Sequence, residues 1–213
     1  MTDRDYVLTE EIARQTVEVI FNLFGEEWFI CFSNPTAGPW KLIRLWTPKG
    51  PREVSPYLKE DVRPDLVLQS FKSKILIYLE AKKHVTELLG QAQLQKSARM
   101  FQSEIGRFRR HLDDWEPDAE YLHLTGFVFP TNNPQIDLST FHRALSQQHD
   151  FPGDHYVVFF VTQEPSKDLC LFWHVEALGT ETGATSSVAK LQSSFPRAAT
   201  QYLPLENDPA QVD

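Results

Sequence analysis

The sequence predicts an α/β fold, a mixed β-sheet flanked by helices. Three observations point there. PDLVLQSF at 64–71 and KILIYLEAK at 74–82 are rich in aliphatic and β-branched residues and read as paired strands. Residues 86–112 carry Leu94, Ala98, Phe101, Ile105, Phe108 and Leu112 at alternating steps of four and three, the stripe of an amphipathic helix. Strand-like runs at 121–129 and 155–162 follow, with a short helical pattern at 138–148 between them, so strands and helices alternate.

The elements can be justified in order. Residues 9–24 form a helix with Thr9 as N-cap, Glu10 and Glu11 at its positive end, and Gly25 as its stop. Ile12, Val19, Ile20, Leu23 and Phe24 are its expected buried stripe. Strands follow at 28–33 and 40–46, then a loop at 47–63 with Lys49, Arg52, Lys59 and Arg63. After the 64–82 hairpin and the long helix, in which Gly90 and Gly106 are weak points, TNNP at 131–134 reads as a turn. Residues 155–162 and 168–175 form a second hairpin around Glu164-Pro165. From Gly179 the chain turns polar, and its last residues, ENDPAQVD, have the composition of a disordered tail.

The 64–82 hairpin holds the chemistry. With Lys72 and Ser73 as a two-residue turn, Phe71 faces Lys74 and, counting back, Asp65 faces Glu80. Side chains alternate along a strand, so Asp65, Val67, Gln69 and Phe71 share a face with Leu76, Tyr78, Glu80 and Lys82. The other face (Leu66, Leu68, Ile75, Ile77, Leu79, Ala81) is apolar and reads as core. Like charges directly opposite each other destabilise a sheet, so this pairing favours a cation between the carboxylates. A hard divalent ion such as Mg2+ takes carboxylate oxygens and keeps several waters, and the Ala81 carbonyl can add a ligand. Lys82 points the same way and can orient or deprotonate a water. The plainer alternative is a surface ion pair between Glu80 and Lys82.

Composition narrows the classes. A chain of 213 residues suits one self-sufficient core. It has no apolar run long enough to span a bilayer and no signal peptide at its charged start, MTDRDYVLTEE. Its two cysteines, Cys31 and Cys170, lie in apolar runs and read as buried free thiols, which suits a cytoplasmic location. The net charge of −8 is unevenly spread: residues 36–112 hold fifteen Lys/Arg against seven Asp/Glu. A basic segment around the hairpin is the footprint of a phosphate-binding face.

The order helix, strand, hairpin with Pro64-Asp65 and Glu80-Ala81-Lys82, long helix, strand, helix and strands resembles the PD-(D/E)xK nuclease superfamily. That group includes type II restriction endonucleases, archaeal resolvases and phage-defence nucleases. The likeness covers roughly residues 9–162. It implies a restriction endonuclease-like core over 1–178, with 179–213 a polar, partly disordered segment. It further implies a DNA endonuclease of the restriction or phage-defence kind, using Mg2+ (or Mn2+) held by Asp65, Glu80 and the Ala81 carbonyl, with Lys82 catalytic. Some members add a glutamate from the first helix; Glu18 is the first candidate here and Glu11 the second. Others carry Gln-x-x-x-Tyr on the following helix; Gln91 fits the first place, but Gln95 stands where tyrosine would be. Lys83, Gln91, Gln95, Arg99, Lys49 and Arg52 are the expected DNA contacts. Cutting both strands of a duplex implies a homodimer, and a defence system implies a protein partner. The alternatives are a non-catalytic DNA-binding or interaction module on the same fold, or a structure-selective nuclease for junctions or flaps.

Other groupings carry less. His149, Asp150, Asp154 and His155 read as a polar turn, and His84, His174 and Glu176 as surface residues. Trp28, Trp40, Trp46 and Trp173 read as core, with a weak stacking role open to Trp40 and Trp46 beside Lys41 and Arg44.

Overall fold

The computed structural model describes residues 8–33, 43–54, 63–146, 151–152, 155–166, 168–177 and 184–202. Helix α1 (Glu10–Phe24) begins where the Thr9 hydroxyl accepts a hydrogen bond from Ile12 N. It buries Ala13, Val17, Ile20 and Phe21, whereas Val19, Leu23 and Phe24 are 50, 66 and 56% exposed. The expected stripe is therefore corrected to a neighbouring face. Each residue turns a helix by about 100°, and the Ala13–Val17–Phe21 row puts a small residue where the helix meets the sheet.

Strand β1 (Trp28–Ser33) leads to a ribbon of β2 (Arg44–Thr47) and β3 (Gly50–Glu53). Residues 40–42 and 55–62 lie outside the described residues, and the strand expected over 40–46 is seen as Arg44–Thr47. The 47–63 loop contains β3, which the sequence reading missed because Pro51 and two charged residues hide a strand of four. The hairpin follows as β4 (Leu66–Ser70) and β5 (Ile75–Ala81). A 3-10 helix, Val85–Leu89, ends at an extended Gly90, and α2 (Gln91–Trp115) then runs through Gly106 without interruption. Next come β6 (Leu122–Pro130), α3 (Pro134–Ser146), β7 (His155–Gln163), β8 (Leu169–Ala177), α4 (Ala184–Ser194) and β9 (Ala199–Gln201). TNNP is the start of α3: Asn133 Oδ1 accepts from Ile136 N, and Pro134 takes a first-turn position where its missing N–H costs nothing.

The seven-stranded sheet runs β1-β4-β5-β6-β7-β8-β9 and is mixed. The pairs β5–β6, β6–β7 and β8–β9 are parallel; the other three are antiparallel. The β4–β5 register, from Leu66 opposite Leu79 to Ser70 opposite Ile75, is the one the sequence predicts. Its turn is four residues, Phe71–Lys74, not the two-residue Lys72-Ser73, because Lys74 adopts φ 53° to close it. Leu66, Leu68, Ile77 and Leu79 pack with α1, Leu191 and Phe195 on one side. Val67, Leu76 and Tyr78 pack with residues of α2, α3 and the ribbon on the other. Both faces of the hairpin are thus covered, where the sequence suggested one core face.

The ribbon is tied to the sheet by Gln69, which is fully buried. Its amide oxygen accepts from Trp46 N at 2.7 Å and its amide nitrogen donates to Trp46 O at 2.9 Å, as a neighbouring strand would. Trp46 also stacks on Phe29, with ring centroids 4.0 Å apart. Beyond residue 179, α4 and β9 give the polar segment a folded part: Phe195 packs on Phe21, Trp28 and Trp173, and Trp28 Nε1 donates to Ser194 O. The tail after Tyr202 lies outside the described residues. Cys31 is buried as expected, but Cys170 is only half-buried. No helix among the described residues is long and apolar enough to cross a membrane.

Candidate metal and nucleic-acid site

The site lies where β4 begins and β5 ends. Asp65 sits just before β4 and donates its N–H to Leu79 O at 2.9 Å. Its carboxylate folds back, and Oδ2 accepts from Ala81 N at 2.9 Å. Continued by two residues, the strand register sets Pro64 opposite Ala81, and a proline has no N–H to give the Ala81 carbonyl. On the other side of β5, Lys82 N donates to Val128 O at 3.0 Å, so the parallel ladder with β6 holds the backbone from which Lys82 projects. Lys82 Nζ meets Glu80 Oε1 at 2.5 Å, and their side chains are only 11 and 17% exposed. Asp65, Glu80 and Lys82 therefore share one end of the hairpin, as the sequence predicts.

Burial and, after it, the nearby Asp65 carboxylate push the Glu80 carboxyl up to about 7, against the opposing pull of Lys82 and Lys96. Two acids crowded at a half-buried point are what a divalent cation relieves. Asp65 Oδ1 and Glu80 Oε2 accept no hydrogen bond from the described residues. Among the described residues no three His, Cys, Asp or Glu side chains converge, so an ion here would rest on two carboxylates, a backbone carbonyl and water. Oxygen donors with retained water suit Mg2+ rather than zinc.

A pH dependence of stability follows. Glu80 binds its proton more tightly in the folded chain than at the ordinary value of 4.5. Its contribution is fully present below about pH 4.5 and is lost as pH rises through about 7. In EDTA, Tm is expected to fall between about pH 5 and pH 8, Glu80→Gln to flatten that fall, and Mg2+ to raise Tm more at the higher pH. Thermal melts across this range check it; a Glu80→Gln profile parallel to the parent's would contradict it.

The other expected site residues divide. Glu18 does not join Asp65 and Glu80. Its Oε2 accepts from Arg14 Nη1 at 2.9 Å and from Ser33 Oγ at 2.7 Å, and Ser33 lies opposite Leu66, whose side chain packs with α1. Glu11 binds the same arginine, whose hydrogen bonding holds its carboxyl below the usual range. The correction has a physical reason: Arg14, 4% exposed, uses both acids to satisfy its buried guanidinium donors, Nε and Nη2 on Glu11 and Nη1 on Glu18.

Lys83 and His84 border a cavity of about 390 Å³ with Thr131, Asn133 and Asp137 at the ends of β5 and β6. Gln91 opens α2. Gln95 and Arg99 line a larger groove on its outer face. Lys49 and Arg52 are exposed on the ribbon, near its Pro48-Lys49 tip and on β3. Of the polar cluster near 150, His155 starts β7 and is buried, while His149, Asp150 and Asp154 lie outside the described residues, as does Trp40. Lys96 is the residue that sequence reasoning missed: it lies close enough to Glu80 to pull on its charge. Its only signal was a position three before Arg99 within the basic segment 36–112.

No family model, curated protein or solved structure matches this chain.

Proposed function

We propose that the chain is a divalent-metal-dependent nuclease that hydrolyses phosphodiester bonds in DNA, of the restriction or phage-defence kind. One observation carries the reading: two carboxylates and a lysine converge at the end of β5, with Lys82 Nζ 2.5 Å from Glu80 and Asp65 fixed on Ala81 N. A bound Mg2+ would screen the phosphate and lower the pKa of a water it carries. Asp65 and Glu80 would supply the oxygens that hold it. Asp65 is fixed by the Ala81 N–H on Oδ2, which leaves its Oδ1 with no hydrogen bond from the described residues. Lys82 pulls against the rise in the Glu80 carboxyl and presents N–H donors to orient an attacking water or a phosphate oxygen. Lys83, Gln95 and Arg99 supply phosphate contacts around the scissile bond, and the ribbon bearing Lys49 and Arg52 has the shape of an element that enters a major groove. Double-strand cutting would use two copies of the chain.

Plasmid and phage DNA incubated with Mg2+, then with EDTA, tests this. Cutting that needs the metal and is lost in Glu80→Gln supports the nuclease. An uncut plasmid under both conditions sinks it and leaves the second reading, a non-catalytic DNA-binding or interaction module. The short Glu80–Lys82 pair favours that reading, since such a pair also works as a purely structural contact.

A further inference from the structure

The outer face of α2 carries a groove of about 800 Å³ that runs from Ala92 to His111. Lys96 and Arg99 line its first part, Arg107 and Arg110 its second, with Ser103 between them. The one acid among the described lining residues, Glu104, is 2% exposed and so withdrawn from the surface. This cationic face belongs to a chain whose net charge is −8. Arg109, on the same turn as Arg110, does not line the groove.

We propose that this groove is a phosphate track: Lys96, Arg99, Arg107 and Arg110 hold the backbone of one strand of the nucleic acid, extending the contact away from the scissile bond. The proposal rests on the nuclease reading for its start, because Lys96 is the residue that links the groove to Glu80. From Lys96 to Arg110 the helix rises about 21 Å. A duplex strand carries a phosphate roughly every 3.4 Å of duplex axis, so a track lying along that axis passes about six phosphates. Two cationic pairs, each three residues apart, lie at the ends of that span. An acidic peptide is the less suitable occupant. Helical or extended peptides anchor through apolar pockets, and Met100 and Ala92 are the only apolar side chains among the described lining residues. The contacts are to backbone only, so the track adds affinity and direction rather than base readout.

Fluorescence anisotropy in EDTA, where no cutting occurs, reads binding alone. The probes are a labelled duplex of about thirty base pairs and a polyglutamate peptide, titrated at several salt concentrations. For the duplex, the slope of log K against log salt is expected to shrink by about 0.9 in Arg110→Gln and by about 1.8 in Arg107→Gln/Arg110→Gln. Arg109→Gln, an equal loss of charge one residue away, should leave the slope where it was. The single Arg110 change, at an exposed position, guards against loss of fold in the double variant. An unchanged slope in Arg110→Gln, an equal drop in Arg109→Gln, or tighter binding of polyglutamate than of DNA would each overturn the track. Its failure is separable from that of the nuclease: metal-dependent cutting with an unaltered slope rejects the track alone, and track-dependent binding without cutting rejects the chemistry alone.

Discussion

Asp65→Asn is expected to lower Mg2+-dependent cutting about a thousand-fold while leaving the fold in place. On the proposed nuclease reading the loss would be that of one charged metal ligand, worth roughly 4 kcal/mol of transition-state stabilisation, and each 1.4 kcal/mol is about tenfold in rate. The fold survives because an asparagine carbonyl still accepts from Ala81 N, the bond that Asp65 Oδ2 accepts at 2.9 Å. Asp65→Ala removes that acceptor too, and an unpaired N–H at a buried strand end costs about 1–3 kcal/mol. The pair of variants separates chemistry from structure: both lose activity, but only the alanine lowers Tm. Lys82→Met gives a third signature. It keeps the buried stem and removes the cation beside Glu80, so the Glu80 carboxyl moves above about 7 and the pH profile of any remaining cutting shifts to the alkaline side. Asp65→Asn cutting at the parent rate would reject the assignment of this carboxylate as a ligand.

The hairpin was legible because its information is local. A period of two, a short turn and a register that follows from them place Asp65 opposite Glu80, and the structure keeps that register even though the turn is four residues long. The long helix was legible for the same reason. What escaped was set by contacts distant in sequence. The choice of Ala13–Val17–Phe21 over Val19–Leu23–Phe24 as the buried row of α1 depends on how close the sheet lies, which no pattern within the helix encodes. The helix α4 is amphipathic only weakly, and its end is held by Phe195, just beyond it, packing on Trp28 and Trp173, residues brought from far along the chain. Glu18 was the first candidate because it lies on the first helix; its pairing with Arg14 was readable as an i, i+4 spacing, but its bond to Ser33 was not. Gln69 is the reverse case. As a polar residue on a strand face it suggested exposure, and it is buried because the ribbon backbone at Trp46, twenty-three residues upstream, satisfies both ends of its amide.

Gly126→Ala is expected to be the most damaging single substitution in the sheet. Gly126 lies in β6 between Leu79 of β5 and Val157 of β7. A Cβ built there would stand 1.7 Å from Val157 O and 2.7 Å from Val157 C, both backbone atoms that no rotamer change can move. Relief requires β6 and β7 to separate, at a cost of about 4 kcal/mol or more, in the range that overpacking reaches only in exceptional cases. For a chain of this size that is a fall in Tm of roughly 8–16 °C, enough to leave much of the protein unfolded or insoluble. The strain would also reach the site. Glu80 and Ala81 pair with Phe127 and Val128, and Lys82 N donates to Val128 O, so a shift of β6 moves the backbone that carries the lysine. Gly106→Ala supplies the control. Its Cβ would meet nothing nearer than 4.0 Å, and that atom is the far end of the Arg110 side chain. An alanine there is expected to stabilise α2 by about 0.4–1 kcal/mol, since the helix loses the conformational cost of glycine. Thermal melts of the two variants should therefore move in opposite directions, and a Gly126→Ala protein melting with the parent would mean that β7 does not approach β6 as closely as the Gly126–Val157 pairing sets it.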